Sequence, residues 1–156
     1  MHELGYNYRA TDIQCALGLS QLQKLDGFIQ RRSELMELYA QQLAPLAPIV
    51  RPLGRANTGA PGWHLCVALI DFKQAHTERA VVMKRLQSAN IGTQVHYLPV
   101  HKQPYYRDLY GEIELPGADT YYERCLSLPL FPTMEDEDVT RVVKGLADAL
   151  SLDITP

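Results

Sequence analysis

The chain has 156 residues, 46% of them hydrophobic, with a formal charge of −3; this suits one globular domain with a real core and offers no basic field for nucleic acid or an anionic membrane. Cys15, Cys66 and Cys125 are far apart and form no CxxC pair, so neither a disulfide framework nor a zinc knuckle is indicated, and a reduced, cytoplasmic setting fits. Met1-His2-Glu3 opens no signal peptide, and no apolar stretch approaches the roughly 20 residues of a membrane span.

The first element follows Gly5-Tyr6-Asn7-Tyr8-Arg9-Ala10-Thr11-Asp12. Thr11 and Gln14 have capping-box spacing, so a helix is expected to begin at Thr11. Its N-terminal amides and dipole favour an anion, and Asn7 and Arg9 bring suitable donors just upstream. Arg can grip phosphate in a bidentate manner. A capped helix after Tyr and Arg is also a commonplace of structure, and the spacing alone does not separate the two readings. Apolar residues recur at helical intervals over residues 11–43, among them Ile13, Leu17, Leu22, Leu25, Leu35, Tyr39 and Leu43. Gly27 is the expected point of division. Pro45 and Pro48 end the helical region, and residues 53–62 read as a loop.

Residues 63–70 read as a buried strand. Thr77 is expected to cap a helix running to Ala89, with Ala80, Val81, Met83 and Leu86 as its inner stripe. Turns at Asn90 and Gly92 lead into residues 93–97, expected to be a second strand, and then into a loop rich in hydrogen-bonding side chains. A short helix over residues 118–125, a short strand over 126–128 and a last helix over 134–150 complete the order. This alternation predicts a two-layer α/β fold with helices over a short, mostly antiparallel sheet. The long helical segment, about 11–43, precedes an α/β subdomain at about 63–150.

Other constellations point to little chemistry. His64, His96 and His101 lack a recurrent metal-ligand spacing, and Glu135-Asp136-Glu137-Asp138 is what a helix dipole favours in a first turn rather than a calcium loop. Cys66 lies in an apolar strand, which raises a thiol pKa and disfavours a nucleophile. Tyr105, Tyr106, Tyr121 and Tyr122 are given no role.

Three segments, GYNYRATDIQCALGLSQLQKLD, GTQVHYLPVHKQPYY and LSLPLFPTMEDEDV, resemble in this order the C-terminal portion of the DegT/DnrJ/EryC1/StrS family, pyridoxal-phosphate-dependent aminotransferases of nucleotide-linked keto-sugars. The likeness runs over nearly the whole chain and is nearest to transaminases that place an amino group on C4 of UDP-linked dideoxy sugars. It implies the C-terminal small domain of a fold-type I aminotransferase, spanning residues 1–156. In the family the Schiff-base lysine, the acid that pairs with the pyridine nitrogen and most of the phosphate cradle lie upstream. None of Lys24, Lys73, Lys84, Lys102 and Lys144 stands in the family's lysine context.

Residue by residue, Asn7 matches the family asparagine that reaches across a dimer to the cofactor phosphate. Arg9 occupies the adjacent position, where it would meet phosphate or the nucleotide diphosphate. His96, Tyr97 and His101 match the segment near the sugar-nucleotide entrance, where hydrogen bonding to substrate is implied; a satisfied loop network that shapes the domain is the competing reading. The resemblance further implies a homodimer, a nucleotide sugar, an amino donor such as glutamate, and synthesis of surface polysaccharide or glycan. No pyridoxal 5′-phosphate is expected to stay bound to this chain alone, and no turnover is expected from it. The alternative is a non-catalytic dimerising or nucleotide-sugar-binding module from a truncated reading frame.

Overall fold

The acidic run at residues 135–138 sits where a helix dipole rewards it. Glu135 and Asp138 form a capping box, with the Glu135 amide donating to Asp138 Oδ2 at 3.0 Å, and helix α6 (Asp136–Leu150) follows. Val139, Val142, Val143, Leu146 and Leu150 lie along its buried face, as the helical period predicts. In the computed structural model, which describes residues 5–6, 8–54 and 61–153, α6 packs on helix α2 (Leu25–Leu43) and helix α3 (Arg79–Ser88). Arg31 of α2 locks that junction: its guanidinium donates to the Met134 carbonyl at 2.6 and 3.2 Å and to Asp136 Oδ1 at 2.9 Å.

These helices lie on a three-stranded antiparallel sheet of β1 (Val50–Pro52), β2 (Cys66–Ile70) and β3 (Cys125–Leu128), in that order. Side chains alternate between the faces of a strand. Cys66, Ala68 and Ile70, with Leu126 and Leu128 beside them, join the helical core. The opposite face carries Val67, Cys125 and Ser127. It is buried too, beneath helix α5 (Pro116–Arg124), which contacts β2, and the segment that follows α3.

Several sequence expectations shift. The first helical region does divide, but at Gln23 and Lys24, between α1 (Asp12–Leu22) and α2, and not at Gly27. Packing decides the place: α2 buries Leu35, Tyr39 and Leu43, whereas α1 buries nothing. Gly27 costs a helix only about 1 kcal/mol, which that packing absorbs.

Residues 93–97 form one isolated bridge, Gln94 to Ser127, in place of a strand. The Val95 amide is diverted to the Gln94 side-chain carbonyl at 2.9 Å, so the ladder stops there. Helix α3 starts at Arg79, with Glu78 in the extended N-cap conformation, and not from a Thr77 cap; Thr77 instead belongs to the preceding turn, its amide donating to the Phe72 carbonyl at 3.0 Å. Its inner stripe is Val82 and Leu86, with Met83 at the margin and Ala80 and Val81 outside. That start fixes the phase, since residues four apart share a helix face.

Strand β1 and helix α4 (Pro104–Tyr110) were not anticipated. The first is only three residues long and ends on Pro52, and the second is introduced by Pro104 at its first position, a helix-opening signal.

Candidate functional site

The segment carrying His96, Tyr97 and His101 is seated before it begins. Asn90 takes a positive φ of 56°, and the Ile91 amide closes on the Leu86 carbonyl at 2.9 Å. Ile91 then fills the space that Gly145 of α6 leaves open: a Cβ there would stand 2.5 Å from Ile91 Cδ1. Gln94 exchanges backbone hydrogen bonds with Ser127 at 2.8 and 3.2 Å, which anchors the segment to the free edge of β3.

His96 follows two residues later and is held from several directions. Its Nδ1 lies 2.8 Å from Ser127 Oγ. Its carbonyl accepts from the Tyr121 hydroxyl of α5 at 3.3 Å. Burial pushes that hydroxyl above its ordinary pKa and keeps it a donor. The His96 ring meets the Tyr97 ring edge-on at 4.6 Å, and the peptide between them is cis. Tyr97 itself projects outward, 71% exposed.

His101 lies in a single 3₁₀ turn, Val100–Lys102, with its side chain only 7% exposed. Nε2 is 3.2 Å from Asp119 Oδ1, and Lys102 Nζ approaches the same oxygen at 2.8 Å. Lys102 first, and His101 beside it, hold the Asp119 carboxyl below the usual carboxylate range. Helix α5 therefore reaches both ends of the segment, through the Tyr121 hydrogen bond at His96 and the Asp119 carboxylate beside His101 and Lys102. A cleft of about 410 Å³ opens beside Asp119, with Lys102, Arg107, Glu112 and Glu114 on its walls. Three carboxylates face two cations there, so the cleft is no simple anion trap.

A depressed carboxyl pKa stabilises the fold above the ordinary value of about 3.9, and that contribution disappears as pH falls through the lower folded value. The melting temperature of the wild type is thus expected to exceed that of Asp119→Asn at neutral pH. The gap should close below about pH 4. Thermal melts followed by circular dichroism from pH 7 to acid check this; a gap that does not change with pH would refute the Asp119 assignment.

The remaining sequence candidates lie elsewhere. Asn7 falls outside the described residues. Arg9 is exposed, and no ion pair or hydrogen bond joins it to another described residue. The capping box after it forms as expected: the Gln14 amide donates to Thr11 Oγ1 at 3.3 Å, and the Thr11 amide to Gln14 Oε1 at 2.8 Å. Sequence reasoning missed Ser127, Asp119 and Tyr121. For Ser127 the signal was a lone hydroxyl inside the apolar run Leu126-Ser127-Leu128-Pro129; for the other two, nothing in the sequence ties α5 to a segment about 20 residues upstream.

The lysines and the two buried thiols are not set up as activated nucleophiles. Lys24, Lys73, Lys84, Lys102 and Lys144 are all exposed. None has the apolar burial of a Schiff-base lysine, so the chain's own lysines do not fit covalent attachment of pyridoxal phosphate. Burial pushes the Cys66 thiol up to about 12 and the Cys125 thiol upward as well, which leaves neither a ready thiolate. Among the described residues, no three His, Cys, Asp or Glu side chains converge as a metal requires, and no helix is long and apolar enough to cross a membrane.

Known proteins share this fold. Spore coat polysaccharide biosynthesis protein SpsC of Bacillus subtilis (strain 168) is 40% identical over 147 residues, covering 92% of this chain and 38% of that protein. Helicobacter pylori PseC, an aminotransferase involved in the biosynthesis of pseudoaminic acid, superposes with a TM-score of 0.85 at 28% identity, over 96% of this chain and 40% of that one. DesI, solved in the presence of its TDP-sugar product, gives a TM-score of 0.80 at 26% identity, over 88% and 35%. The chain thus spans about two fifths of the length of the relatives it matches. A helix-covered three-stranded antiparallel sheet, the His96 segment on its edge and a family profile that matches residues 1–147 all agree: the chain belongs to the DegT/DnrJ/EryC1/StrS aminotransferase family.

Proposed function

We propose that this chain is the C-terminal part of a pyridoxal-phosphate-dependent nucleotide-sugar aminotransferase that converts a 4-keto sugar to the 4-amino sugar, with glutamate as amino donor, in making surface polysaccharide or glycan. The observation that carries the reading is the clamping of residues 94–101 between β3 and α5, with Tyr97 left projecting outward. A loop held this firmly is preorganised for a ligand. Names of the relatives support a sugar substrate: one protein acts in spore coat polysaccharide synthesis and another was solved with a TDP-sugar. His96 and Tyr97 donate hydrogen bonds to the nucleotide sugar, His101 and Asp119 hold the loop, and Asn7 and Arg9 meet phosphate across a homodimer. The chain itself contributes these contacts and no Schiff-base lysine.

Two measurements test this. Incubated with pyridoxal phosphate and borohydride, the chain is expected to show no stoichiometric pyridoxyl adduct at any single lysine by mass spectrometry. Such an adduct, with steady transamination of a 4-keto nucleotide sugar by glutamate, would refute the division of labour. In a polypeptide that also carries the family's lysine-bearing portion, His96→Ala and Tyr97→Phe are each expected to raise KM for the nucleotide sugar by up to about tenfold, the value of one lost hydrogen bond. The glutamate half-reaction should be unchanged; equal impairment of both half-reactions would remove the sugar from this site.

A further inference from the structure

Ser127 is buried, 5% exposed, on the sheet face turned away from the helical core. Its side chain has one partner there, the Nδ1 of His96 at 2.8 Å. A buried hydroxyl that keeps its hydrogen unpaired carries the desolvation cost of an orphaned donor. A neutral imidazole has one ring nitrogen protonated and the other free to accept. If Nδ1 carried the hydrogen, the Ser127 hydroxyl would accept it and leave its own hydrogen with no acceptor among the described residues. If the hydroxyl donates to Nδ1, both groups are satisfied and the ring hydrogen is driven to Nε2.

We propose that Ser127 is a positioning residue that fixes the tautomer of His96, holding Nδ1 as an acceptor and turning an Nε2–H donor outward. The Gln94 to Ser127 bridge and the Tyr121 hydrogen bond fix the backbone on which this works, so the serine sets the ring and not the loop. Nε2 has no partner among the described residues and is not among the polar atoms closed off from solvent. It is thus free to donate to a ligand oxygen, such as a sugar hydroxyl, sugar carbonyl or phosphate. The inference rests on the reading of His96 as sugar-facing for its consequence. Its geometry does not depend on that reading.

The test uses the chain as it is, labelled with ¹⁵N-histidine, with no ligand. Two-bond proton–nitrogen correlation spectra distinguish imidazole tautomers and are recorded about two pH units above the ordinary histidine pKa of about 6.5. Five histidines contribute, and His96→Gln removes one set of cross-peaks and so assigns it. The wild type is expected to show Nε2–H over Nδ1–H by about tenfold or more at His96, with a slowly exchanging Ser127 hydroxyl proton coupled to Nδ1. Ser127→Ala is expected to lose that proton and show a mixture of tautomers, and Ser127→Thr to restore the single one. An Nδ1–H ring in the wild type overturns the proposal, and so does an alanine variant whose tautomer ratio is unchanged. Should the alanine variant fail to fold, the wild-type hydroxyl coupling still decides. Failure of the sugar reading shows separately, as an unchanged nucleotide-sugar KM in His96→Ala beside an intact Nε2–H tautomer.

Discussion

Tyr39→Ala is expected to destabilise the chain by about 3–5 kcal/mol, the range for removing a large aromatic from a packed core. Against the roughly 5–15 kcal/mol that holds a typical domain together, this is a large fraction of the stability. Tyr39 is 0% exposed and stands on the inner face of α2, between Leu35 and Leu43. Its hydroxyl donates to the Pro129 carbonyl at 2.8 Å, just past β3. Burial drives the hydroxyl pKa far above its ordinary value, so the donor is retained at every working pH.

Two losses are therefore separable. Tyr39→Phe removes only the hydrogen bond and should cost about 1 kcal/mol. The remainder belongs to the cavity. Urea unfolding of the three proteins measures both, and an alanine variant within about 1 kcal/mol of wild type would show that the ring is not part of the cooperative core. The effect should reach the site as well, because Pro129 follows the strand that bears Ser127.

Replacing Ile13 and Leu17 by glutamate is expected to weaken self-association by about 100-fold or more. Both lie on α1, 82% and 61% exposed, one helical turn apart, and α1 buries no side chain in this chain. Leu19 and Leu22 are exposed on the same helix, and Tyr6 and Tyr8 stack at 5.3 Å just before it. Ile13 and Leu17 share one side of a helix that buries nothing within the chain, and the proposed homodimer would cover that side. Covering a Leu or Ile side chain is worth about 1.5–3 kcal/mol, so losing two is worth at least about 3, or roughly two decades in a dissociation constant.

Sedimentation equilibrium of the wild type and the double variant gives the comparison. An undiminished affinity, or a wild type that stays monomeric at high concentration, would remove α1 from the proposed homodimer interface. Circular dichroism should be unchanged, since neither residue touches the core, and this separates lost association from lost fold.

Among the site residues, sequence and structure divide the information by range. The Thr11 and Gln14 capping box and the acidic first turn of α6 were legible because their partners lie within four residues. The buried face of α6 was legible because a 3.6-residue period puts Val139, Val142, Val143, Leu146 and Leu150 on one side. The His96, Tyr97 and His101 segment stood out by its residue types.

Its organisation did not. Whether residues 93–97 pair as a strand turned on one amide choosing the Gln94 side chain over β3. Whether His101 faced water or a carboxylate turned on α5 returning to place Asp119 beside it.

The sequence alone determined the cap of α1, the acidic first turn and buried face of α6, and the family, because these are written in adjacent residues and in motif order. Only the tertiary structure decided the break between α1 and α2, the phase of α3 and the Ser127 to His96 pairing. Each of these depends on burial against elements distant in sequence, and burial outweighs the roughly 1 kcal/mol preferences that local composition expresses.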